Sequence, residues 1–373
     1  MKIVFVSNYI NHHQAPLSDR LYELTGGDYF FIQTEPMEEE RVKLGWDASL
    51  ADKPYVKLYY KEKEKCDSLI MNADCTIFGG CEDTDIIMPR LEEGKFTLIY
   101  SERIYKQSRL KFISPRGLKK KYHDHIRFNN FPVYLLCAGA YVKGDFDLIG
   151  AYRNKKLKYG YFPQCFTYDD LNQLRKDNDT LRILWVGRFI DWKHPEMMIN
   201  LAENLKAKNM DFHITMIGNG VMEEEIRRLA LDKGVSGAVE FRGGMKPDEV
   251  REEMRRSDIF ISTSDRLEGW GAVINEAMNS GCVTIASKSI GSAPYLIRDG
   301  VNGYLYKSCD DKGLLEKVIL GSNRENALKI GKAAYETMTG LWNADVAADR
   351  ILRFARDPEH RIPDYEDGPL SRA

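Results

Sequence analysis

The stretch Leu267–Gly281 reads LEGWGAVINEAMNSG, and it determines how we interpret the chain. It sets Glu268 and Glu276 eight residues apart, with a Gly-Trp-Gly turn between them. Gly269 and Gly271 have no Cβ, so the backbone here can bend sharply and approach a ligand closely. The short helix expected to follow would aim its free N–H groups and its positive dipole end at the same spot. Carboxylates on both sides of an anion-binding turn fit a sugar nucleotide, which has hydroxyls at both ends and a diphosphate between them.

The same E-x7-E spacing also occurs by accident in strand-to-helix connections with two solvated glutamates. The flanking sequence favours a ligand-binding site over an accidental match. An apolar strand is expected at Asp258–Thr263, before the motif. A helix C-cap at Gly281 and a second apolar strand at Cys282–Ala286 follow it.

The composition is that of a globular protein, with 373 residues, 43% hydrophobic and 29% charged, and a net charge of −2. The length allows two domains, and the charge does not favour nucleic acid. We expect no transmembrane segment, and we interpret residues 1–7 as a first strand because the apolar run is too short for a signal peptide. The seven cysteines form no C-x-x-C pair, which argues against disulfides or zinc and fits a reducing cytoplasm. His12-His13 and His123-x-His125 lack neighbouring ligands at metal spacing, so we expect no metal.

Short apolar runs alternate with helical stretches along the chain, which predicts doubly wound parallel sheets. The polar segment 163–180 interrupts the pattern and is expected to be a linker. The fold class is therefore α/β, with two Rossmann-like domains, and a ligand cleft between them is the default expectation. The predicted domains are 1–165, 166–340 and a segment 341–373. That segment would contain an amphipathic helix packing back toward the first domain, with Val346, Ile351, Leu352 and Phe354 buried, and a disordered tail after Asp357.

Three predicted strand ends in the second half carry glycine turns and polar residues. Strand Leu181–Val186 ends in Gly187-Arg188, and Lys193 follows five residues later. Arg188 offers a planar fork of donors and Lys193 a point charge, so together they could hold a diphosphate, although ordinary loop cations would look the same. The next two strands end in Gly218-Asn219-Gly220 and in Arg242-Gly243-Gly244. The chain contains no G-x-G-x-x-G dinucleotide fingerprint.

The segments VGRFIDWKHPEMMI, MIGNG, VEFRGG and EGWGAVINEAMNSG, in this order and spacing, resemble the nucleotide-sugar half of retaining glycosyltransferases of family 4. These are two-domain enzymes of the GT-B fold, and the resemblance covers about residues 181–310. It implies that Arg188 and Lys193 bind the donor diphosphate, that Glu276 accepts hydrogen bonds from the ribose, and that Glu268 holds hydroxyls of the donor sugar. The remaining donor-binding positions that it implies are Gly187, Asn219, Gly220, Arg242, Gly269, Trp270, Gly271 and Ala272.

The first half departs from the commoner family pattern. Its segment SNYINHHQAPLSDRL resembles a bacterial subgroup linked to surface polysaccharide assembly. Many relatives carry a histidine after a central strand of this domain, whereas here Ser101-Glu102-Arg103 follows the strand Phe96–Tyr100. His13 and Glu102 are the candidates for the group that meets the reacting carbon, and a structural role for either stays open.

The resemblance implies a metal-independent transfer, with no cofactor, from a nucleotide-diphosphate sugar to a hydroxyl of a saccharide or polyprenyl-linked acceptor with retention. UDP is the expected nucleotide, with GDP as the alternative. The alternatives in function are a sugar-nucleotide 2-epimerase of the same fold and a non-catalytic sugar-binding protein. The expected location is the cytoplasm, at the inner face of the cell membrane if the basic segment described next binds lipid.

Residues 103–127 contain nine lysines or arginines and one acid, Asp124. Apolar residues are interleaved with these charges, a pattern that suits the surface of an anionic membrane. A solvated surface loop is the alternative interpretation, and nucleic-acid binding is disfavoured because the basic patch is local.

Overall fold

The computed structural model describes residues 1–43, 45–81, 83–106, 114–169, 171, 180–357 and 359–373. The chain divides into two compact units, which we call the amino-terminal unit (Met1–Gln164 with Trp342–Ala373) and the carboxyl-terminal unit (Cys165–Leu341). Each unit contains one parallel sheet with connecting helices, so the prediction of two Rossmann-like α/β domains is confirmed. Residue 170 and residues 172–179 of the predicted linker lie outside the described residues.

The amino-terminal unit has a seven-stranded sheet in the order β3-β2-β1-β4-β5-β6-β7. Its strands are β1 Ile3–Ser7, β2 Tyr29–Gln33, β3 Val56–Leu58, β4 Cys75–Gly79, β5 Thr97–Ser101, β6 Val133–Ala138 and β7 Lys156–Tyr159. Its helices are α1 Ala15–Leu24, α2 Glu39–Lys43, α3 Lys63–Asn72, α4 Thr84–Glu92, α5 Pro115–Asp124, α6 Val142–Leu148 and, from the end of the chain, α14 Ala344–Arg356.

The carboxyl-terminal unit has a six-stranded sheet in the order β10-β9-β8-β11-β12-β13. Its strands are β8 Leu181–Val186, β9 Phe212–Ile217, β10 Val239–Phe241, β11 Ile259–Ser262, β12 Val283–Ser287 and β13 Tyr304–Tyr306. Its helices are α7 Glu196–Ala207, α8 Glu223–Asp232, α9 Pro247–Arg256, α10 Val273–Asn279, α11 Ala293–Leu296, α12 Asp311–Ser322 and α13 Arg324–Gly340.

Both sheets follow the doubly wound strand order, in which the connections reverse direction beside the first strand. In the carboxyl-terminal unit this switch point lies between β8 and β11, where Ile259 pairs with Ile183. All residues of β11 and β12 are buried, as expected for parallel strands covered on both faces. The carboxyl ends of β8 and β11 therefore form the rigid base on which a ligand site can be built.

The sequence analysis missed β3 and β7, which form the two edges of the amino-terminal sheet. Edge strands are short and often carry lysines, so they lack the apolar run that identifies a central strand. In β7, Lys156 is buried and donates to the carbonyl oxygen of Tyr152 at 3.0 Å. The polar sequence of β7 thus concealed a strand that tertiary packing stabilises.

The prediction of a disordered tail after Asp357 is wrong for the described part of the tail. The Lys158 amide donates to the carbonyl oxygen of Ser371 at 2.8 Å, and the Leu370 amide donates to the carbonyl oxygen of Lys158 at 2.8 Å. The Leu370 side chain is fully buried, and Arg350 of α14 donates to the carbonyl oxygens of Asp367 and Pro369. A charged, proline-rich composition predicts disorder, but here the tail pairs with the open edge of β7. On α14, Ile351, Leu352 and Phe354 are buried as expected, whereas Val346 is only partly buried.

Leu370→Ala should lower the free energy of unfolding by about 2–3 kcal/mol, since it empties a buried site that anchors the tail. Equilibrium urea unfolding would measure the change. Glu366→Ala, at an exposed tail position, is the matched control and should change stability by less than about 0.5 kcal/mol. Equal stability of Leu370→Ala and the natural chain would contradict the anchoring role of the tail.

Candidate donor site

Glycine turns bring the loops after β8, β9 and β10 into direct contact. Gly218 has φ +137°, and a Cβ there would lie 1.9 Å from the carbonyl oxygen of Gly187. A Cβ at Gly220 would lie 2.3 Å from the carbonyl oxygen of Phe189. No larger residue fits at either position without moving backbone, so these glycines fix the turn that holds Arg188.

A largely buried ion pair joins the loop after β8 to the loop after β11. The Lys193 ammonium contacts the Glu268 carboxylate, and these side chains are 14% and 15% exposed. The Ser264 hydroxyl donates to the same carboxylate at 3.1 Å. The two residues that the resemblance assigns to the donor diphosphate and the donor sugar are thus direct neighbours, and Ser264 is a further member of the site that the sequence analysis missed.

Buried hydrogen bonds hold the two loops in register. The indole N–H of Trp185 donates to the Thr263 hydroxyl at 2.8 Å, and that hydroxyl donates to the carbonyl oxygen of Lys193. The Asp265 amide donates to the carbonyl oxygen of Trp192 at 3.0 Å. The position of Lys193 therefore depends on β8, through Trp185, and on the end of β11.

Arg188 and Lys193 lie around one aromatic ring. The Arg188 guanidinium carbon is 5.7 Å and the Lys193 ammonium 4.8 Å from the ring centroid of Trp192. A cation near an indole face is stabilised by about 0.5–1 kcal/mol when exposed. Arg188 is exposed and forms no ion pair with any described residue, so its charge is available to an anion.

The Gly-Trp-Gly turn has one strict glycine position. Gly271 has φ +81°, and a Cβ there would lie 2.8 Å from the Ile290 side chain, whereas Gly269 does not have a positive φ. Trp270 is buried, and its indole N–H donates to the Asn275 side chain at 2.8 Å. Ala272 is the N-cap of α10, and the expected C-cap glycine, Gly281, follows the last helical turn with φ +70°. Because α10 has only seven residues, the turn itself, rather than a long helix dipole, shapes this part of the site.

Glu276 lies on α10, and its side-chain carboxylate makes no hydrogen bond or ion pair with any described residue. Burial raises the pKa of Glu276 to about 7, and attraction to Arg251 opposes part of that rise. A carboxylate without protein partners is a suitable acceptor for two neighbouring hydroxyls.

Asn219 and Arg242 stand at the ends of β9 and β10. A Cβ at Gly244 would lie 2.7 Å from the Asn219 amide nitrogen, so Asn219 is packed against this turn. The Arg242 guanidinium contacts Glu240 at 3.0 Å and Glu253 at 2.7 Å. Both residues lie beside the same group of turns, but Arg242 is already neutralised by two acids.

The amino-terminal unit brings its two candidates together through Tyr161, which the sequence analysis missed. The Tyr161 hydroxyl donates to the Glu102 carboxylate at 2.7 Å, and the His13 ring stacks on the Tyr161 ring with centroids 5.8 Å apart. Lys106 also pairs with Glu102. Burial and the nearby His12 hold the pKa of His13 well below its usual range, and its Nδ1 atom has no hydrogen-bond partner among the described residues.

The predicted basic surface of residues 103–127 is smaller than the sequence indicated. Arg103 turns inward and contacts the buried carboxylate of Asp145 at 3.2 Å, Tyr105 is buried, and Arg127 pairs with Glu92 at 2.8 Å. Residues 107–113 lie outside the described residues. Among the described residues of the segment, the exposed basic side chains are on α5, at Arg116, Lys119 and Lys120.

Stability should decrease as pH rises from about 5 to 7, because the folded state keeps the Glu276 proton that the unfolded chain has already lost. Glu276→Gln removes this titration. The free energy of unfolding of Glu276→Gln minus that of the natural chain should therefore be larger at pH 8 than at pH 5. Urea unfolding of both proteins at the two pH values measures this difference. Glu225→Gln, at an exposed site on α8, is the control. A Glu276→Gln difference that does not change with pH would contradict a protonated Glu276.

Residues 168–337, which are a little under half of the chain, match the family described as glycosyl transferases group 1. The lipopolysaccharide core biosynthesis glycosyltransferase LpsE of Rhizobium meliloti is 25% identical over 187 residues, which cover 49% of this chain and 52% of LpsE. The GDP-mannose-dependent alpha-(1-6)-phosphatidylinositol monomannoside mannosyltransferase of Mycobacterium tuberculosis is 25% identical over 181 residues, 47% of each chain. The matched region thus covers about half the length of these curated relatives.

Likeness to solved structures extends over both units. The crystal structure of Anabaena Alr3699/HepE in complex with UDP and glucose covers 95% of this chain and 98% of its own, with a TM-score of 0.65 and 13% identity. At this identity the likeness shows the fold alone. Residues 168–337 are therefore similar to glycosyl transferases group 1, and the solved structures that share the fold of the two Rossmann-like units are GT-B glycosyltransferases.

Proposed function

We propose that the chain is a retaining glycosyltransferase of the family 4 type, which transfers a sugar from a nucleotide-diphosphate sugar to an acceptor hydroxyl in bacterial surface polysaccharide synthesis. The observation that carries this proposal is the Lys193–Glu268 pair at the β8–β11 switch point, with Arg188 across the Trp192 ring. This arrangement offers two cations for a diphosphate, 5.7 Å and 4.8 Å from the same ring centroid, and one carboxylate for sugar hydroxyls in contact with the second cation. The surface-polysaccharide role is supported by the relative LpsE, whose name states a lipopolysaccharide function.

The proposed donor carries UDP. The Anabaena protein of the same fold binds UDP and glucose, whereas the mycobacterial relative uses GDP-mannose, so GDP is the alternative. The ribose would be held by Glu276, and the base would lie near Asn219, Gly220 and Arg242. The backbone of the Gly269–Ala272 turn would face the sugar and its phosphate.

In the proposed reaction the bond between the anomeric carbon and the phosphate oxygen breaks, and negative charge develops on the diphosphate. Arg188 and Lys193 stabilise that charge, which is the main contribution that fixed charges make to such a step. The acceptor hydroxyl attacks from the leaving-group side, its oxygen forms the new bond to carbon, and its proton passes to a phosphate oxygen. The two cations take the place of a metal ion, so the proposal includes no cofactor.

The Lys193–Glu268 pair has a consequence for turnover. Without donor, Glu268 neutralises Lys193 and keeps its ammonium in one position. When a diphosphate binds, it shares Lys193, and the Glu268 oxygens become available to sugar hydroxyls. After transfer the sugar has left, so Glu268 competes again for Lys193 and weakens the hold on the nucleotide product.

In the amino-terminal unit we propose that His13 and Glu102 meet the acceptor and the reacting sugar. The Tyr161 hydroxyl fixes one oxygen of Glu102, and His13 presents a neutral ring with an unbonded nitrogen, since the pKa of His13 is lowered. A neutral imidazole can accept a hydrogen bond from a sugar hydroxyl.

A ligand panel tests the function. UDP should raise the melting temperature more than GDP or ADP, because a ligand that binds the folded state stabilises it. Incubation with UDP-sugars should release UDP slowly without acceptor. Interconversion of the UDP-sugar would indicate an epimerase, and binding with no turnover would indicate a sugar-binding protein. If none of these nucleotides shifts the melting temperature, the donor site is refuted.

Arg188→Ala and Lys193→Ala should each lower the rate of UDP release by on the order of 10²–10³, because each removes one charge contact to the leaving diphosphate. Arg228→Ala, on α8 with a side chain that is 85% exposed, is the control and should leave the rate unchanged. An unchanged rate in Arg188→Ala or Lys193→Ala would remove that residue from the diphosphate site.

We further propose that α5 binds the anionic inner face of the cell membrane, where a lipid-linked acceptor would lie. No residue of α5 is buried, and Leu118 and Tyr122 are 38% and 59% exposed beside its basic residues. Basic residues with apolar neighbours are attracted to anionic lipid by about 1 kcal/mol per charge. Among the described residues, no helix is long and apolar enough to cross a bilayer.

The protein should float with anionic vesicles at low salt and much less with neutral vesicles, since the attraction to lipid headgroups is electrostatic. The triple change Lys119→Glu, Lys120→Glu and Lys121→Glu should abolish flotation. Lys312→Glu, at an exposed site on α12, is the control. Equal flotation with neutral and anionic vesicles would contradict the proposal.

A further inference from the structure

The amino-terminal unit contains a cavity of about 260 Å³ at the carboxyl ends of β4 and β5. Its floor is aliphatic and aromatic, with contributions from Phe78, Ile87, Leu91, Ile99 and Ile104. Phe78 and Leu91 are each 1% exposed, so the floor belongs to the core of the unit. A cavity with an apolar floor at the carboxyl ends of parallel strands is a typical ligand position in this class of fold.

The rim of this cavity is polar and carries net positive charge. Lys120, Lys121 and Asp124 of α5 line it, and Lys120 pairs with Asp124 at 2.7 Å. His125 donates to or accepts from the Tyr152 hydroxyl at 2.8 Å. Burial lowers the pKa of His125 to about 4, so this ring adds no charge near neutral pH. An apolar floor under a cationic rim complements a molecule with an aliphatic chain and an anionic head.

We propose that this cavity binds the aliphatic chain of a lipid phosphate, with the phosphate at Lys120 and Lys121. The inference rests on the proposed function and deepens it, because it assigns the acceptor to the lipid-linked class. Ser101 lines the cavity, and the next residue is Glu102, a candidate for the acceptor site. A chain held here would therefore lie beside the strand end that Glu102 follows.

The size of the cavity limits the length of chain that it holds. If a methylene occupies about as much space as a water molecule in the liquid, ~30 Å³, the cavity takes about eight methylenes. Each methylene transferred from water into an apolar site strengthens binding by about fourfold. Affinity should thus rise steeply with chain length and stop rising once the cavity is full.

Calorimetric titration of the full chain with alkyl phosphates of two to fourteen carbons, below their micelle concentrations, tests this inference. Affinity should rise by three- to fourfold per carbon up to about eight carbons and then level off. Inorganic phosphate and octanol, which each supply one half of the ligand, should bind at least tenfold more weakly than octyl phosphate. Affinity that keeps rising to fourteen carbons would mean partition onto an apolar surface and would overturn the proposal, as would equal affinity for inorganic phosphate.

Variants of α5 and of the cavity lining show where octyl phosphate binds. Lys120→Glu with Lys121→Glu should weaken octyl phosphate binding by tenfold or more, while Lys119→Glu, on the same helix but outside the described lining of the cavity, should change it by less than twofold. Thr84→Phe, which places a ring in the cavity, should shorten the chain length at which affinity levels off. If Lys119→Glu weakens octyl phosphate binding as much as the double change does, α5 acts as a membrane surface and the proposed cavity site is overturned. Binding to anionic vesicles combined with alkyl phosphate affinities that do not depend on chain length would have the same meaning.

The same titrations with UDP separate the two proposals. UDP binding that persists while alkyl phosphates fail to bind would overturn only the lipid chain site. Absence of UDP binding would refute the donor site, whatever the alkyl phosphates do.

Discussion

The contact between Lys193 and Glu268 is the interaction on which the candidate site depends. It joins two loops separated by 75 residues in sequence, and it does so at the point where the strand order of the sheet reverses. Each side chain has lost most of its contact with water, so removal of either would leave a poorly solvated charge at a cost of on the order of 1–3 kcal/mol. Two opposite charges fixed in this way are positioned before any ligand arrives, and little reorganisation remains to be done when charge develops on a diphosphate.

Backbone geometry makes that contact possible. Gly218 and Gly220 permit an approach to the Gly187–Phe189 segment that any side chain would block, and Gly271 takes a positive φ against Ile290. The Thr263 hydroxyl then connects Trp185 of β8 to the backbone of Lys193. The site thus stands on the ends of strands rather than on free loops, which is the arrangement that holds functional groups to within a fraction of an ångström.

The sequence predicted the parts of the structure that local chemistry determines. Central strands are continuous apolar runs, and the glycines at 187, 218, 271 and 281 mark turns whose φ or close packing needs them, so these could be identified in advance. The edge strand β7 and the tail around Leu370 could not, because each is stabilised by the other across more than 200 residues. Ser264 and Tyr161 belong to no motif, and Trp192 lies within a quoted segment without a role assigned to it, since the roles of all three come from the position of a neighbouring side chain and not from spacing along the chain.

The two units also differ in how much chemistry the sequence displays. A donor of the proposed kind always presents a diphosphate and a ribose, so its site needs cations, a carboxylate and tight glycine turns at fixed spacing. An acceptor presents whatever the pathway supplies, and its site is built from packing. In the amino-terminal unit, Glu102 is defined by Tyr161 and Lys106, and the cavity beside it by core residues such as Phe78 and Ile99. Residues of that kind pack in the core and would also contact the ligand. Hydrophobic packing under a basic helix therefore leaves no sequence pattern that distinguishes a lipid-binding site from an ordinary sheet edge.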